Sequence, residues 1–258
     1  MEKLKIVSIG EIILLLSKLN DETFNKIFVS NEANILSMLD KEKFETSFLT
    51  IVPKNDFGLD NTNYLDTLNI DHLIIQKKDG REPIIFSDGN KTIFDRKFSA
   101  FYFSSAMDFD LAKELNNATL FHISMDTFSI SIDSYKMLIN ALKLLKKRTC
   151  KVSLSFKANN FFWNDEQSLV TLYKINKFIN FLFLDFNDVK SLTSFKKYDI
   201  FDEKSAKDIY NRLKVENLII YNDNKVYRIN NKECIELTSK MTFNNENELI
   251  ARFINNEF

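Results

Sequence analysis

Two acidic residues, Asp185 and Asp188, stand at the end of an apolar run that spans residues 181–185. Carboxylates at this spacing can give weak affinity for Mg²⁺, which prefers oxygen ligands. Capping of a helix start is the favoured alternative, because an N-cap aspartate accepts backbone hydrogen bonds. We therefore expect no resident metal at this pair.

Further polar residues, Asn244 to Glu248, precede the apolar pattern of the last predicted helix. Asn245 and Glu248 have the spacing of a capping box, and we favour that structural role over a catalytic one. His122 lies inside an apolar run and is interpreted as a core histidine rather than a ligand.

Glycine is scarce, with four among 258 residues against a usual share of about 7%. The closest pair in the sequence is Gly80 and Gly89. Loops that bind phosphate through backbone N–H groups need several glycines at close spacing. The composition therefore argues against a phosphate-binding P-loop and against a dinucleotide-binding fingerprint.

Charge and cysteine content exclude other classes. The formal net charge is −1, so no overall field attracts nucleic acid or an anionic membrane. The basic cluster 146–148 ends a predicted helix and complements its dipole. Only two cysteines, Cys150 and Cys234, are present, which indicates neither a disulfide framework nor a zinc site. We expect a cytoplasmic protein that binds neither nucleic acid nor membrane.

Apolar β-branched runs alternate with helical patterns along most of the chain. Strands are predicted at residues 5–9, 46–52, 72–76, 120–124, 151–156, 181–185 and 218–221. Helices are predicted at residues 32–39, 57–68, 108–115, 133–147, 165–178, 203–213 and 247–254. This alternation predicts an α/β fold of three layers, with a mostly parallel sheet between helices.

Two hairpins interrupt the alternation. The first pairs residues 84–86 with 92–95 around a turn at Gly89, and the second pairs residues 225–229 with 234–237. The early hairpin is interpreted as a β flap, residues 73–98, that lies outside the main sheet. No linker or repeat divides the sequence, so we predict one domain, residues 1–258, with this flap inserted in it.

Seven short segments, in order, resemble motifs of the ribokinase (PfkB) family of carbohydrate kinases, and most closely its 2-keto-3-deoxygluconate kinase branch. They are Gly10-Glu11, Glu32-Ala33-Asn34, Asn55-Asp56-Phe57-Gly58, Leu68-Asn69-Ile70-Asp71, the segment 95–100 around Arg96, the segment 120–124 around His122, and Phe162-Trp163. No single match is specific, but their common order extends over about two-thirds of the chain. The resemblance implies a ribokinase-like fold.

The resemblance also implies roles for particular residues. Glu11, Asn34 and Arg96 would bind a sugar, with Arg96 holding the carboxylate of a sugar acid; a salt bridge within the flap is the alternative for Arg96. In this family the flap covers the sugar and mediates dimerisation, so a homodimer through the flap is expected. Active members use ATP and Mg²⁺.

The residues depart from the family where phosphoryl transfer takes place. The family's Gly-Ala-Gly-Asp segment, which binds phosphate and supplies the catalytic base, aligns with Asn244, Asn245, Glu246 and Asn247. Glu246 would place a carboxylate where phosphate belongs, and the Asn247 amide cannot accept a proton. A shifted alignment would bring Glu246 or Glu248 to the base position. Asp185 and Asp188 would be remnants of the site for magnesium and nucleotide.

A further motif of the family, Asp-x-Asn-x-Arg, is also replaced. Ser155, Lys157 and Asn159 stand at its three polar positions. The neighbouring aromatic residues, 161–163, are expected to fill space that a sugar would occupy.

These departures lead to three hypotheses. The first is a degenerate sugar kinase, without catalytic residues or cofactor, that acts by binding or assembly. The second is an active ATP-dependent carbohydrate kinase that uses relocated residues on a sugar acid such as 2-keto-3-deoxygluconate. The third is a structural or regulatory protein that dimerises through the flap or binds another protein.

Overall fold

The apolar runs form the strands of one large sheet. The computed structural model describes residues 2–20, 22–158, 160–192, 198–238, 241 and 243–258. The strands are β1 (Leu4–Ile9), β2 (Ile13–Lys18), β3 (Phe24–Val29), β4 (Phe44–Pro53), β5 (Asp71–Lys77), β6 (Ile84–Ser87), β7 (Thr92–Asp95), β8 (Ala118–Ser124), β9 (Lys151–Phe156), β10 (Phe181–Asp185), β11 (Asn217–Tyr221), β12 (Val226–Ile229) and β13 (Cys234–Glu236). Within these residues the main sheet has the order β13-β12-β11-β10-β9-β8-β1-β4-β5.

Parallel pairing dominates the main sheet, as its runs of buried residues predict. The strands from β11 to β5 are parallel, whereas the β12–β13 hairpin continues the edge in antiparallel pairing. Successive side chains of β8 alternate between the two faces: Leu120 packs in one hydrophobic core and Phe121 in the other. The predicted three-layer α/β class is therefore confirmed.

Helices cover both faces of the sheet. They are α1 (Asn31–Ser37), α2 (Asp56–Thr67), α3 (Leu111–Glu114), α4 (Met125–Ser129), α5 (Ile132–Leu145), α6 (Asp165–Ile175), α7 (Phe186–Ser191), α8 (Glu203–Leu213) and α9 (Glu246–Glu257). Leu36 of α1 and Leu249 of α9 are buried in one core, and Leu138 of α5 and Leu172 of α6 are buried in the other. No helix in the described ranges is long and apolar enough to cross a membrane.

A second, smaller sheet contains more of the chain than the predicted flap. Its order is β3-β2-β6-β7, so it includes the segment directly after Glu11 as well as the predicted hairpin. Residues 73–77 of the predicted flap instead belong to β5, which pairs with β4 in the main sheet. The apolar N-terminal run is thus two strands of different sheets, separated at Gly10 and Glu11.

Two predicted helices are too long. Only Leu111–Glu114 of the range 108–115 is α-helical, because Asp108 instead accepts a hydrogen bond from the backbone N–H of Ser105 at 2.6 Å and Asp110 caps the helix. The helix predicted over 165–178 ends at Ile175 and continues as one 3₁₀ turn, Asn176–Phe178.

His122 is a core residue, as its apolar neighbours in the sequence predict. It is fully buried in β8, with Nδ1 2.9 Å from Oγ of Ser153 in β9, while Oγ of Ser8 donates to its backbone carbonyl at 2.7 Å. Burial lowers the pKa of His122 from 6.5 to about 3. The imidazole is therefore neutral in the folded protein at neutral pH.

The neutral imidazole predicts a stability that falls with acidification. Because the unfolded chain binds this proton near pH 6.5 and the folded protein only near pH 3, the free energy of unfolding falls as pH drops between these values, by up to about 1.4 kcal/mol per pH unit. Urea unfolding of His122→Asn should show a flatter acid limb. His72→Asn, which changes the half-buried histidine beside Asp66, is the control. Equal slopes for both variants and the wild type would contradict the prediction.

Candidate functional site

A buried ion pair joins the main sheet to the small sheet. Glu11 follows β1, and Arg96 follows β7; Arg96 Nε donates to Glu11 Oε2 at 3.0 Å. The side chains of Arg96 and Glu11 are only 5% and 3% exposed, respectively. Oγ of Ser99 donates to the second oxygen of Glu11. Two of the three predicted sugar-binding residues thus come together and connect the flap to the main sheet.

The guanidinium of Arg96 has two further neighbours. Asp126 Oδ2 lies 3.7 Å from Nη1, and the Phe162 ring centroid lies 5.3 Å from Cζ. Burial would lower the pKa of Arg96, but the carboxylates of Glu11 and Asp126 raise it above its usual value. The guanidinium therefore stays charged, and the protein's own carboxylates balance that charge. The alternative from the sequence was a salt bridge within the flap, whereas the observed ion pair joins Arg96 to Glu11, outside the flap.

Asn34, the third predicted sugar-binding residue, is engaged elsewhere. Its side-chain carbonyl accepts a hydrogen bond from the Tyr64 hydroxyl of α2 at 2.9 Å. The Tyr64 ring in turn packs against Phe28 of β3, with centroids 6.1 Å apart. In this structure Asn34 therefore stabilises the contact between α1 and α2.

Glu32 is a buried acidic residue that was not selected from the sequence as a site residue. Its Oε1 accepts hydrogen bonds from the hydroxyls of Ser124 and Thr127, the latter at 2.8 Å. A Cβ on Gly10 would lie 2.6 Å from Glu32 Oε2, so a side chain at this position would displace the Glu32 carboxylate. Burial raises the pKa of Glu32 above its usual value of 4.5. The signals in the sequence were its place in the motif-like segment Glu32-Ala33-Asn34 and in the first turn of α1.

Two further contacts join the small sheet to the rest of the molecule. Phe94 of β7 packs against Phe161, which follows β9, with ring centroids 5.7 Å apart. At the opposite edge, Lys26 pairs with Asp60 of α2 at 2.6 Å. The aromatic residues predicted to fill the sugar space therefore form part of the flap contact, through Phe161 and through Phe162 beneath Arg96.

Asn61 of α2 makes another contact with the flap. Its Nδ2 donates to Oε2 of the buried Glu82, just before β6, at 2.8 Å. Burial raises the pKa of Glu82 to about 8. The carboxyl group of Glu82, which is uncharged at neutral pH, therefore links the flap to α2 through this hydrogen bond.

A second polar cluster lies at the carboxyl ends of β9 and β10 and the start of α9. Lys157 Nζ is 3.1 Å from Glu246 Oε2 and 4.0 Å from Asp188 Oδ2. Burial opposes the charge on Lys157, but Glu246 and Asp188 raise its pKa above its usual value. Burial also raises the pKa of Asp188 to about 6, although Lys157 opposes that shift.

Asp185 has the capping role favoured by the sequence, since it accepts from Asn187 N at 2.8 Å at the start of α7. Asp188 does not cap a helix here; its carboxylate belongs with Lys157. Ser155 is buried within β9. Asn159, the third replaced position of the family motif, lies outside the described residues.

The first turn of α9 is capped by its own side chains. Asn245 accepts from Glu248 N at 3.0 Å, as predicted, but the reciprocal bond runs from Asn244 N to Glu248 Oε2 at 2.9 Å. Glu248 also pairs with Arg252 at 2.7 Å. Asn247, aligned with the family's base, donates to Asn31 Oδ1 at 3.3 Å. The reciprocal bond of the capping box therefore comes from the backbone of Asn244, one residue before the N-cap Asn245.

These residues do not fit a magnesium-bound triphosphate in the way that the family resemblance implies. A helix start attracts anions, but Glu246 already places a carboxylate in the first turn of α9. The Lys157 ammonium group lies beside the carboxylates of Glu246 and Asp188. Among the described residues no three His, Cys, Asp or Glu side chains are arranged to hold a metal ion.

Removing the ammonium group should destabilise this cluster. We expect Lys157→Met to lower the free energy of unfolding by about 1–2 kcal/mol at pH 7, because two partly buried carboxylates lose their cation. The loss should shrink below pH 6, where Asp188 takes up a proton. Urea unfolding at pH 5 and 7 measures both effects.

Lys151→Met is the matched control. Lys151 lies at the exposed start of β9, and its Nζ pairs with Glu216 Oε1 at 3.4 Å. Its effect should stay under about 1 kcal/mol. Equal effects of the two lysine variants at both pH values would contradict the prediction.

Comparisons with solved structures agree with the architecture. The 2-dehydro-3-deoxygluconokinase of Thermotoga maritima superimposes with a TM-score of 0.80 at 20% identity, over 91% of this chain and 79% of that one. A PfkB family carbohydrate kinase of Listeria grayi gives 0.76 at 18% identity, over 90% and 78%. A fructokinase of Xylella fastidiosa with bound ATP gives 0.77 at 14% identity, over 90% and 73%.

No protein-family profile and no curated protein sequence matches this chain. The likeness therefore lies in the path of the backbone, at an identity too low to transfer an activity. The superpositions cover 90–91% of this chain, whose described residues form a nine-stranded sheet, flanking helices and a small sheet. This chain has the ribokinase-like fold of the PfkB carbohydrate kinases.

Proposed function

We propose that this chain is a degenerate sugar kinase that has lost phosphoryl transfer and acts by binding or assembly. The observation that carries the proposal is the ion pair between Lys157 and Glu246, 3.1 Å apart. It places a carboxylate in the first turn of α9, where the family resemblance puts the phosphate. Anions bind at a helix start through free N–H groups and a positive dipole, and the Glu246 carboxylate would repel a phosphate there.

The residue at the position of the catalytic base supports the same proposal. A general base must accept the proton of the attacking hydroxyl, and the Asn247 amide has no basic atom for it. Its amide is directed to Asn31. Glu248, the fallback base, is engaged by Asn244 and Arg252.

The free cysteines Cys150 and Cys234 suit the reducing cytoplasm in which we place the protein.

Calorimetric titration with ATP·Mg²⁺, with and without 2-keto-3-deoxygluconate, tests the proposal together with a coupled assay of ADP formation. We expect no saturable heat from ATP up to millimolar concentrations and no turnover. Turnover at enzyme-like rates would overturn the proposal. Binding of the sugar acid alone, without turnover, would support a role in binding.

An active ATP-dependent carbohydrate kinase is the second candidate, and the pKa of Asp188 favours it. A carboxylate in the first turn of α7 whose pKa is raised to about 6 is suited to proton transfer near neutral pH. This candidate predicts ATP binding near the start of α9 and loss of turnover in Asp188→Asn. If turnover is found and Asp188→Asn retains it, Asp188 is not the base.

We also propose that the small sheet mediates a homodimer. Ile93 of β7 is 63% exposed and Phe24 of β3 is 48% exposed. Exposed apolar side chains on a sheet favour self-association. Light scattering should give a dimer at micromolar concentration, and Ile93→Lys should give a monomer. A wild-type monomer under these conditions would contradict this assembly and leave a different protein as the partner.

A further inference from the structure

We propose that a groove beside α5 and α6 binds a flat ring molecule that carries an anionic group such as a carboxylate. The groove has a volume of about 630 Å³ and is lined by Phe98, Tyr102, Tyr135, Trp163, Lys97 and Lys174. This set is called the aromatic groove below. The inference does not depend on whether the chain binds a sugar or ATP.

The aromatic groove is distinct from the contact between Glu11 and Arg96. Its residues come from the segment after β7, from α5, from the segment after β9 and from α6. Phe162 contributes to both places: it lines the groove and lies beneath the Arg96 guanidinium. Arg96 itself is buried and does not line the groove.

The walls of the groove contain two aromatic pairs, whose faces and edges can pack against a further ring. Trp163 and Tyr135 lie 6.3 Å apart at an angle of 59°, and Phe98 and Tyr102 lie 5.3 Å apart at 69°. Phe98 is 56% exposed and has a positive φ of 58°, a backbone conformation that is uncommon for a bulky residue. Ligand sites are typically concavities of this size with mainly aromatic and apolar walls.

Two lysines at the rim of the groove indicate that the ligand carries a negative charge. Lys97 and Lys174 line the groove, and neither ammonium has a carboxylate partner within the described ranges. The polar groups Ser131 and Gln167 are already used to cap α5 and α6. The Ser129 hydroxyl donates to the backbone oxygen of Asp126. Two cations, several rings and the Thr171 hydroxyl remain for a ligand, and the cations and rings complement an aromatic anion.

Trp163 is the single tryptophan of the chain, so its fluorescence reports occupancy of the groove. The probe is 4-nitrobenzoate, and the neutral 4-nitrobenzamide has the same ring without the charge. We expect saturable quenching of Trp163 by the benzoate at millimolar concentrations, with the amide about tenfold weaker, since one ionic contact accounts for such a ratio.

Lysine variants separate binding in the groove from collisional quenching. Lys97→Ala and Lys174→Ala should each weaken benzoate binding several-fold and leave the amide unchanged. Lys143→Ala, an exposed lysine on α5 outside the groove, should change neither. The proposal is overturned if quenching is not saturable, if both probes bind equally, or if Lys143→Ala weakens binding as much as Lys174→Ala.

Discussion

Replacing Arg96 by methionine should lower the free energy of unfolding by about 3–5 kcal/mol at pH 7, because Glu11 would stay buried without its cation. Methionine keeps apolar contact with Phe162, so the loss isolates the charge. Burial raises the pKa of Glu11 and Arg96 opposes that rise, so without Arg96 the carboxyl takes up a proton more readily. The penalty should therefore diminish as pH falls. Urea unfolding between pH 5 and 8 measures it.

Arg81→Met is the matched control. Arg81 pairs with Asp95 in the same part of the flap, but the two side chains are 48% and 41% exposed. An exposed pair of this kind contributes at most about 1 kcal/mol. Glu11→Gln in the Arg96→Met background should restore part of the stability, since it removes the unpaired charge. A loss in Arg96→Met no larger than in Arg81→Met would show that the buried pair does not hold the flap.

Gly58→Ala should destabilise the protein by roughly 3 kcal/mol, because there is no space for a methyl group. A Cβ at this position would lie 1.9 Å from the backbone oxygen of Pro53. Backbone cannot move aside as a flexible side chain can, so α2 would shift away from β4. The shift would also disturb the cap in which Asn55 accepts from Gly58 N at 3.3 Å. Thermal and urea unfolding measure the effect.

Gly89→Ala separates steric exclusion from backbone conformation. Gly89 lies between β6 and β7 with a φ of 87°, and a methyl group added there would have no other atom within 4 Å. Its replacement should cost about 1 kcal/mol through the positive φ alone. If Gly58→Ala is no more harmful than Gly89→Ala, the close approach of α2 to Pro53 is not a constraint on the fold.

Strand positions were predicted best where both faces are covered. The bounds of β9 and β10 agree with the prediction: β10 is a largely apolar run, β9 alternates apolar residues with serines, and both strands are almost entirely buried. The strands β2 and β3 were missed because β2 continues the apolar N-terminal run after Gly10 and Glu11, and because the turn between them depends on one side chain. Asn20 Oδ1 accepts from the N–H groups of Glu22 and Thr23 at 2.9 Å.

For the candidate site, the sequence indicated individual residues but not the contacts between them. Glu11 and Arg96 were selected separately, each for a sugar, and the sequence held no indication that they would bind each other. Glu246 was expected to exclude phosphate, but its partner Lys157 was noted only as a replaced motif position. Glu32 was not selected, since a carboxylate in a first helical turn is common.

The order of most strands and helices, the parallel sheet and the absence of closely spaced glycines could be predicted from the sequence alone. These features follow from local periodicity and residue type, which neighbouring residues carry. Which charges meet is visible only in the folded protein. Glu11 and Arg96 are 85 positions apart in the chain, and their separation of 3.0 Å results from packing of the small sheet on the body. Local patterns do not encode such distances, because they depend on how whole elements pack.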